Sequence, residues 1–474
     1  DSDSPAEAPR HPMTPDDLAV EGKVVLDWLA SWLATIEHRP VQPDVEPGWV
    51  RSQLPASAPE ESEPFEEVLA DLDQIIAPAI TNWQHPGWFA FFPANSSPPS
   101  VLGELVAAGL GVQGMLWSTS PAATELESHV LDWLVDLLGL PDQWRIDTGP
   151  GGGVIQMSAS DSTHAVHVVS RERATARGAA TDDLVAYGST QAHSSIEKGA
   201  RIAGFRHVRL VDVDDHLALR PDALASTVAE DLDAGLVPTI ITSAIGTTGT
   251  TAVDPVREVG ELTRQHGMWH HVDAAYAGTA MLCEEFRHHQ DGLELADSYT
   301  WNPHKWMFTN FDCNVLWVAD RAPLIEALSI LPPYLRNAAS ESGQVVDYRD
   351  WHVPLGRRFR ALKLWFVLRT YGAERLRAFV RHHVHLARWF AEQVETHDSL
   401  ELVAPVPFGL VCFRHVDGDE ATQRIVDHVN RSGRAYVTAS TLPNGSAFVR
   451  VSVGATWTES RHVEDLWGLV TGAL

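Results

Sequence analysis

Met268-Trp269-His270-His271-Val272-Asp273-Ala274-Ala275-Tyr276 reads as a buried strand that ends on a carboxylate followed by small residues. Similar short runs, apolar or β-branched, stand at 183–187, 207–211, 239–244, 268–272 and 298–301. Helical patterns fall between and around them, at 122–138, 161–177, 195–203, 221–234 and 255–265. This alternation predicts an α/β fold with a mostly parallel, doubly wound sheet. Ligands of such sheets sit beyond the carboxyl ends of the strands. His193, Thr248, Asp273 and Lys305 each follow one of these runs.

The flanks have a different character. Thr14-Pro15-Asp16-Asp17 offers an N-cap, a proline for the first helical position and acids suited to the helix dipole. Val20, Val24, Trp28, Trp32 and Ile36 then recur every four residues, with Val25, Leu29 and Leu33 widening the stripe. A second helix is expected over 65–80, after a Pro-rich connection at 40–64. Two sticky helices ahead of any strand predict an arm that buries itself on a second copy of the chain. Beyond 372, strands are expected near 408–415, 435–439 and 447–453, with a helix from Glu459 onward. The expected division is therefore a tail and helical dimerisation arm (1–97), a large domain (98–371) and a small α+β domain (372–474).

Composition narrows the function. The 474 residues carry a net charge of −28, which argues against nucleic acid and anionic membranes as partners. No run of eighteen apolar residues is present, so no membrane span is expected. Three widely spaced cysteines, Cys283, Cys313 and Cys412, argue against a disulfide framework and for a reducing, cytoplasmic setting. The acidic, Pro-rich segment 1–12 reads as a disordered tail and not as a signal peptide. His382-His383-x-His385 lacks a nearby carboxylate or cysteine at ligand spacing, and no metal is expected.

Thr300-Trp301-Asn302-Pro303-His304-Lys305-Trp306 sets a lysine among aromatic residues. A lysine in apolar surroundings loses its charge readily and becomes a nucleophile able to form a Schiff base. By itself it reads first as a snorkelling side chain whose stem covers apolar surface. Asp273 needs a partner if buried, and a protonated pyridine nitrogen would supply one, as would a helix cap or an ion pair. Ala275 is small enough for a flat ring to lie against. Gly149-Pro150-Gly151-Gly152-Gly153 leads through Ser158-Ala159-Ser160 into a helix start. It is read as a glycine-rich turn that lets backbone N–H groups approach a phosphate, or as a bare turn. His193, just before a helix, could stack on a ring or merely cap. Gly246-Thr247-Thr248-Gly249-Thr250 offers hydroxyls to an anion or forms a turn. Together these are the parts of a pyridoxal phosphate (PLP) site.

At this point the chain resembles the aromatic-L-amino-acid decarboxylases, within the group II PLP-dependent decarboxylases. Carrying the resemblance are 43–48, His85-Pro86, Ser120-Pro121-Ala122-Ala123-Thr124-Glu125-Leu126-Glu127, 191–195, 271–278, 302–306, Pro354-Leu355-Gly356-Arg357-Arg358-Phe359-Arg360 and 409–414. It implies the type I (aspartate-aminotransferase-like) fold, with a central sheet of seven strands and a small α+β domain. It also implies that Lys305 holds PLP, Asp273 pairs with the ring nitrogen, and His193 and Ala275 cover the two ring faces. Ala159, Ser160, Thr248, Asn302 and His304 would surround the phosphate and ring substituents. The family is homodimeric, with a swapped N-terminal arm and a lid tyrosine supplied across the interface.

Tyr334, ahead of the Ser/Gly-containing stretch 337–344, is the expected acid that protonates Cα after carbon dioxide leaves. Aromatic acetaldehyde synthases of the same family typically carry Phe there, or Asn at the ring-stacking histidine. With Tyr334 and His193 both present, the expected products are an arylethylamine and carbon dioxide. The alternatives are an acetaldehyde synthase and a non-catalytic protein that keeps the PLP fold or binds an anion. Trp83, Phe91, Phe92, Pro93 and Ala94, with Gln113, Met115 and Gly356, form the expected substrate wall. Phe91 and Ala94 stand where animal relatives have Tyr and Thr, and Gln113 and Met115 where they have Ile and Phe. Gly356 resembles indole-accepting members. Tryptophan is the favoured substrate, with tyrosine, phenylalanine, DOPA and 5-hydroxytryptophan also in range.

Overall fold

A computed structural model of the chain describes residues 13–330 and 345–474. The segment 1–12, Tyr334 and the stretch 337–344 lie outside the described residues. Seven strands form the central sheet: β1 (Gly152–Gln156), β2 (Leu184–Ser189), β3 (His207–Val211), β4 (Val237–Ala244), β5 (Trp269–Asp273), β6 (Ser298–Trp301) and β7 (Asn314–Val318). Their order is β1-β7-β6-β5-β4-β2-β3. Strands β2 to β6 are mutually parallel, and β7 runs antiparallel to both β6 and β1. Every residue of β1, β2, β5, β6 and β7 is buried, as expected for a sheet covered on both faces by helices. That double burial is why the strands read as apolar runs without alternation. The α/β fold with a mostly parallel sheet of seven strands is the one expected.

Two strands of the central sheet were not expected. The glycine-rich turn expected at 149–160 contains β1, and only then does the helix Ala159–Ala176 start. Its glycines are there for close packing. A Cβ on Gly152 would come within 2.8 Å of the Trp351 ring, and one on Gly153 within 2.7 Å of Trp317 Nε1. The other unread strand is β7, which follows the lysine segment after a short connection.

The first helix, Pro15–Thr35, begins as expected, with a capping box between Thr14 and Asp17. None of its residues is buried, and Leu18 and Val20 are 63 % and 65 % exposed. The second expected helix is α-helical only over Phe65–Asp71. It then widens over Leu72–Ile76 and tightens over Ala77–Ala79. Pro78 is the physical cause, because it has no N–H to continue the ladder.

After the sheet comes a long helix, Arg360–Glu395, broken at Gly372 (φ 69°, ψ 158°). Four antiparallel strands follow: β8 (Leu400–Leu402), β9 (Leu410–His415), β10 (Thr438–Thr441) and β11 (Ala447–Ser452), in the order β10-β11-β9-β8. The strand expected at 435–439 is shifted toward the C-terminus, and β8 was not expected. Leu386, Phe390 and Val394 of the long helix pack with Val411, Phe413, Val449 and Val463 in one core. Among the described residues, no helix is long and apolar enough to cross a membrane. Cys283, Cys313 and Cys412 are free and buried.

Candidate active site

Parallel strands bring distant residues to one edge. Asp273 is the last residue of β5, level with Ala244 at the end of β4 and with Thr300 of β6. The segments that leave β2, β4 and β6 carry His193, Thr248 and Lys305 respectively. Strand β1 shares the direction of β6, because two antiparallel pairings separate them, so its exit toward Ser158 reaches the same edge. Here lies a cavity of about 200 Å³. Ala159, Ser160, His193, Thr248, Asp273, Ala275, Asn302, His304 and Lys305 all line it.

Local hydrogen bonds orient these side chains. Ser158 caps the helix Ala159–Ala176 through Asp161 N, and Asp161 Oδ2 accepts from Ser158 N at 3.0 Å. A helix start leaves its first N–H groups without intrahelical acceptors, so those of Ala159 and Ser160 are available to an anion. His193 caps the next helix, Ser194–Ile202: its Nδ1 accepts from Ser195 N at 3.1 Å. The neutral ring therefore carries its proton on Nε2. Capping and ring contact, alternatives from sequence alone, are compatible because the cap engages Nδ1 while stacking uses the ring face. His304 follows the same logic, with Nδ1 accepting from Cys313 N at 2.9 Å. Asp273 Oδ1 accepts from Ala275 N at 2.9 Å, which fixes the carboxylate plane. Asn302 Oδ1 accepts from Asn314 Nδ2 at 2.6 Å.

Electrostatics favour neutral bases. Burial lowers the Lys305 amine below its ordinary pKa; the Asp273 charge opposes this and the Arg450 charge adds to it. Burial likewise lowers His193, against a raising effect of Asp273. His304 is pushed down to about 3, chiefly by burial. The Lys305 Nζ lies 5.3 Å from the centroid of Phe92. Phe92 stacks on Tyr276 at 3.9 Å, and Tyr276 stacks on Trp306 at 4.9 Å.

Of the expected substrate wall, only Phe92 lines this cavity. Trp83 and Phe91 stack on one another at 5.7 Å and are 37 % and 48 % exposed. Pro93 and Ala94 are not among the lining residues, and the Ala94 carbonyl accepts from Gln84 Nε2 at 2.6 Å. Gln113, Met115 and Gly356 also lie elsewhere, grouped through their loops. Gln113 Oε1 accepts from Arg357 N at 2.9 Å, so its carbonyl is already committed to the chain's own backbone. Tyr334, the expected proton donor, lies outside the described residues. Tyr276 and Arg450 were given no role from sequence. Tyr276 was within the quoted motif, whereas Arg450 comes from β11 and has no local signature. Its guanidinium donates to the carbonyls of Thr248 at 2.8 Å and Gly249 at 2.9 Å.

The donor set suits PLP. Lys305 offers a nucleophilic amine for an aldehyde, and Asp273 a carboxylate for a protonated ring nitrogen. The helix start with the Ser160, Thr247 and Thr248 hydroxyls suits a phosphate, and Ala275 leaves room for a flat ring. Residues 47–416 match the conserved domain of the pyridoxal-dependent decarboxylases. The chain belongs to the pyridoxal-dependent decarboxylase family. It is a carboxy-lyase that works with pyridoxal 5'-phosphate. It is 44 % identical over 472 residues to a phenylacetaldehyde synthase of Arabidopsis thaliana, covering 97 % of this chain and 96 % of the relative. It is also 44 % identical over 469 residues to tyrosine decarboxylase 2 of Narcissus pseudonarcissus, covering 96 % and 93 %. The fold is similar to a crystal structure of Oryza sativa TDC with PLP and tryptamine. That match has a TM-score of 0.96 and 38 % identity, covering 98 % of this chain and 99 % of the other.

Proposed function

We propose that this decarboxylase converts aromatic L-amino acids, tryptophan foremost, to arylethylamines and carbon dioxide. The observation that carries the reading is the convergence of Lys305, Asp273 and His193 in one cavity beside the Phe92–Tyr276 aromatic stack. When bound, PLP supplies an electron sink for the charge left as the carboxylate departs. Lys305 holds the cofactor with an amine that burial has made easy to deprotonate. Asp273, locked by Ala275 N, would keep the ring nitrogen protonated. His193 would cover one ring face and offer Nε2–H to the substrate carboxylate, and Ala275 would leave room at the other. Ala159, Ser160, Thr248, Asn302 and His304 would hold the phosphate end. Tyr334 delivers the proton to Cα.

The enzyme works as a homodimer on this reading. The helix Pro15–Thr35 buries none of its residues on its own chain. Its Leu26, Leu29 and Leu33 open, with Val101, Leu102 and Trp457, onto an apolar groove suited to a swapped arm.

The similarity to a phenylacetaldehyde synthase favours one second reading, oxidative loss of ammonia together with carbon dioxide. Both readings are tested by incubating the holoenzyme with mixed aromatic amino acids and measuring amine, aldehyde and peroxide. Amine equal to the carbon dioxide released is expected, and Tyr334→Phe should divert product to aldehyde with the cofactor still bound. Aldehyde and peroxide in step with carbon dioxide from the unmodified enzyme would overturn the decarboxylase assignment.

A further inference from the structure

Among the described residues, strand β1 is an edge of the central sheet, paired only with β7. An edge strand presents unpaired N–H and C=O groups that must find partners when buried. At Ile155, which is 1 % exposed, the partners are two charged side chains. Glu127 Oε1 accepts from Ile155 N at 2.7 Å, and Arg357 Nη2 donates to Ile155 O at 2.9 Å. The same Arg357 Nη2 donates to Glu127 Oε1 at 2.5 Å. Glu127 and Arg357 are only 2 % and 4 % exposed, so this is a buried ion pair. Desolvating two charges is costly unless further hydrogen bonds offset it, and here the strand edge supplies them.

The pair comes from two of the motifs that carry the family resemblance, 120–127 and 354–360. Arg357 also donates through Nη1 to Gly114 O at 3.3 Å, and its carbonyl accepts from Gly114 N at 3.0 Å. Its guanidinium stacks over Tyr348 at 4.6 Å, and the Tyr348 hydroxyl meets Ser128 Oγ at 3.0 Å. Ile155 stands three residues before Ser158, the cap of the helix that opens at Ala159 and Ser160. A shift of the strand edge is therefore passed directly to the helix start.

We infer that the Glu127–Arg357 pair acts as a substitute strand on the edge of β1, a positioning device that sets where the helix start meets the cofactor phosphate. The inference rests on the proposed placement of the phosphate at Ala159 and Ser160. The test is equilibrium binding of PLP and of pyridoxal, which lacks the phosphate, to apoenzyme. The readout is the ratio of the two dissociation constants, with a thermal melt of each variant. Glu127→Ala is expected to shrink that ratio about tenfold, the scale of a lost charge-assisted hydrogen bond. Glu127→Gln keeps an acceptor for Ile155 N and should retain most of it. Arg357→Lys, which cannot reach both Ile155 O and Gly114 O, should fall between. Should Glu127→Ala fail to fold, the Gln and Lys variants carry the same comparison. A high wild-type ratio that survives Glu127→Ala and Arg357→Lys, or equal weakening of both ligands, overturns the inference. A wild-type ratio near one, unaffected by Ser160→Ala, defeats the phosphate placement itself and the inference with it.

Discussion

Arg450→Met is the substitution that most directly probes how the small sheet governs the cavity. Arg450 is 6 % exposed, and its guanidinium donates to Thr248 O (2.8 Å), Gly249 O (2.9 Å) and Thr438 Oγ1 (3.2 Å). It also lies 5.3 Å from the Phe92 centroid. The two charged bonds to carbonyls contribute about 1.5–3 kcal/mol each, and the ring contact about 1–2 kcal/mol. Methionine fills much of the volume and removes the desolvation cost of the charge, so a net loss of about 3–4 kcal/mol is expected in urea unfolding of the apoenzyme. The second consequence is electrostatic. Arg450 lowers the Lys305 pKa, so its removal raises that pKa and leaves less neutral amine at a given pH. Only the neutral amine attacks an aldehyde, so cofactor capture by the apoenzyme should slow, and its pH midpoint should move upward. The sign is consistent with linkage. A lysine depressed below its ordinary 10.5 leaves the unfolded chain binding more protons, so stability rises with pH across that window, and Arg450→Met narrows the window. An unchanged midpoint, together with a stability loss below about 1 kcal/mol, would refute the reasoning.

Acid should unfold the protein earlier than its carboxylates alone would dictate. His270, His271, His304, His352 and His383 are buried and pushed down to about 3, so between 6.5 and 3 the unfolded chain binds more protons and stability is lost as the pH is lowered. Each contributes a slope approaching about 1.4 kcal/mol per pH unit, and His383→Gln should remove one such share. A flat stability profile between pH 6.5 and 5 would contradict this. Gly153→Ala tests the role given to the β1 glycines: its Cβ meets Trp317 Nε1 at 2.7 Å and Leu131 Cδ1 at 3.0 Å. Overpacking of about 1–3 kcal/mol should appear in unfolding with little change in PLP affinity. A selective loss of phosphate affinity would instead restore these glycines to the anion site.

Much of this enzyme was legible one segment at a time. Buried parallel strands read as apolar runs, because a strand covered on both faces has no polar side to alternate. The capped helix start at Ser158, the carboxylate closing β5 and the lysine after β6 are local patterns, and they were found where they stand. Glycine misled the reading at β1, since the same residue serves a turn, a phosphate loop or a close-packed strand. The sequence does not say how near Trp317 and Trp351 will come. The segment 83–94 is contiguous in sequence, yet only Phe92 of it lines the cavity, while Trp83 and Phe91 stack on one another beside it.

What the sequence determined by itself is the chemistry available: an amine, a carboxylate, an imidazole and a helix start, each at the exit of a strand. The tertiary structure decided which of them share a cavity, because parallel strands in register carry their carboxyl ends to one edge. It alone decided what holds that cavity. Arg450 reaches in from the four-stranded sheet, and Glu127 pairs with Arg357 across the edge of β1. Such partners are charged groups buried far from their neighbours in sequence, and no local periodicity marks a contact that exists only once the chain has packed.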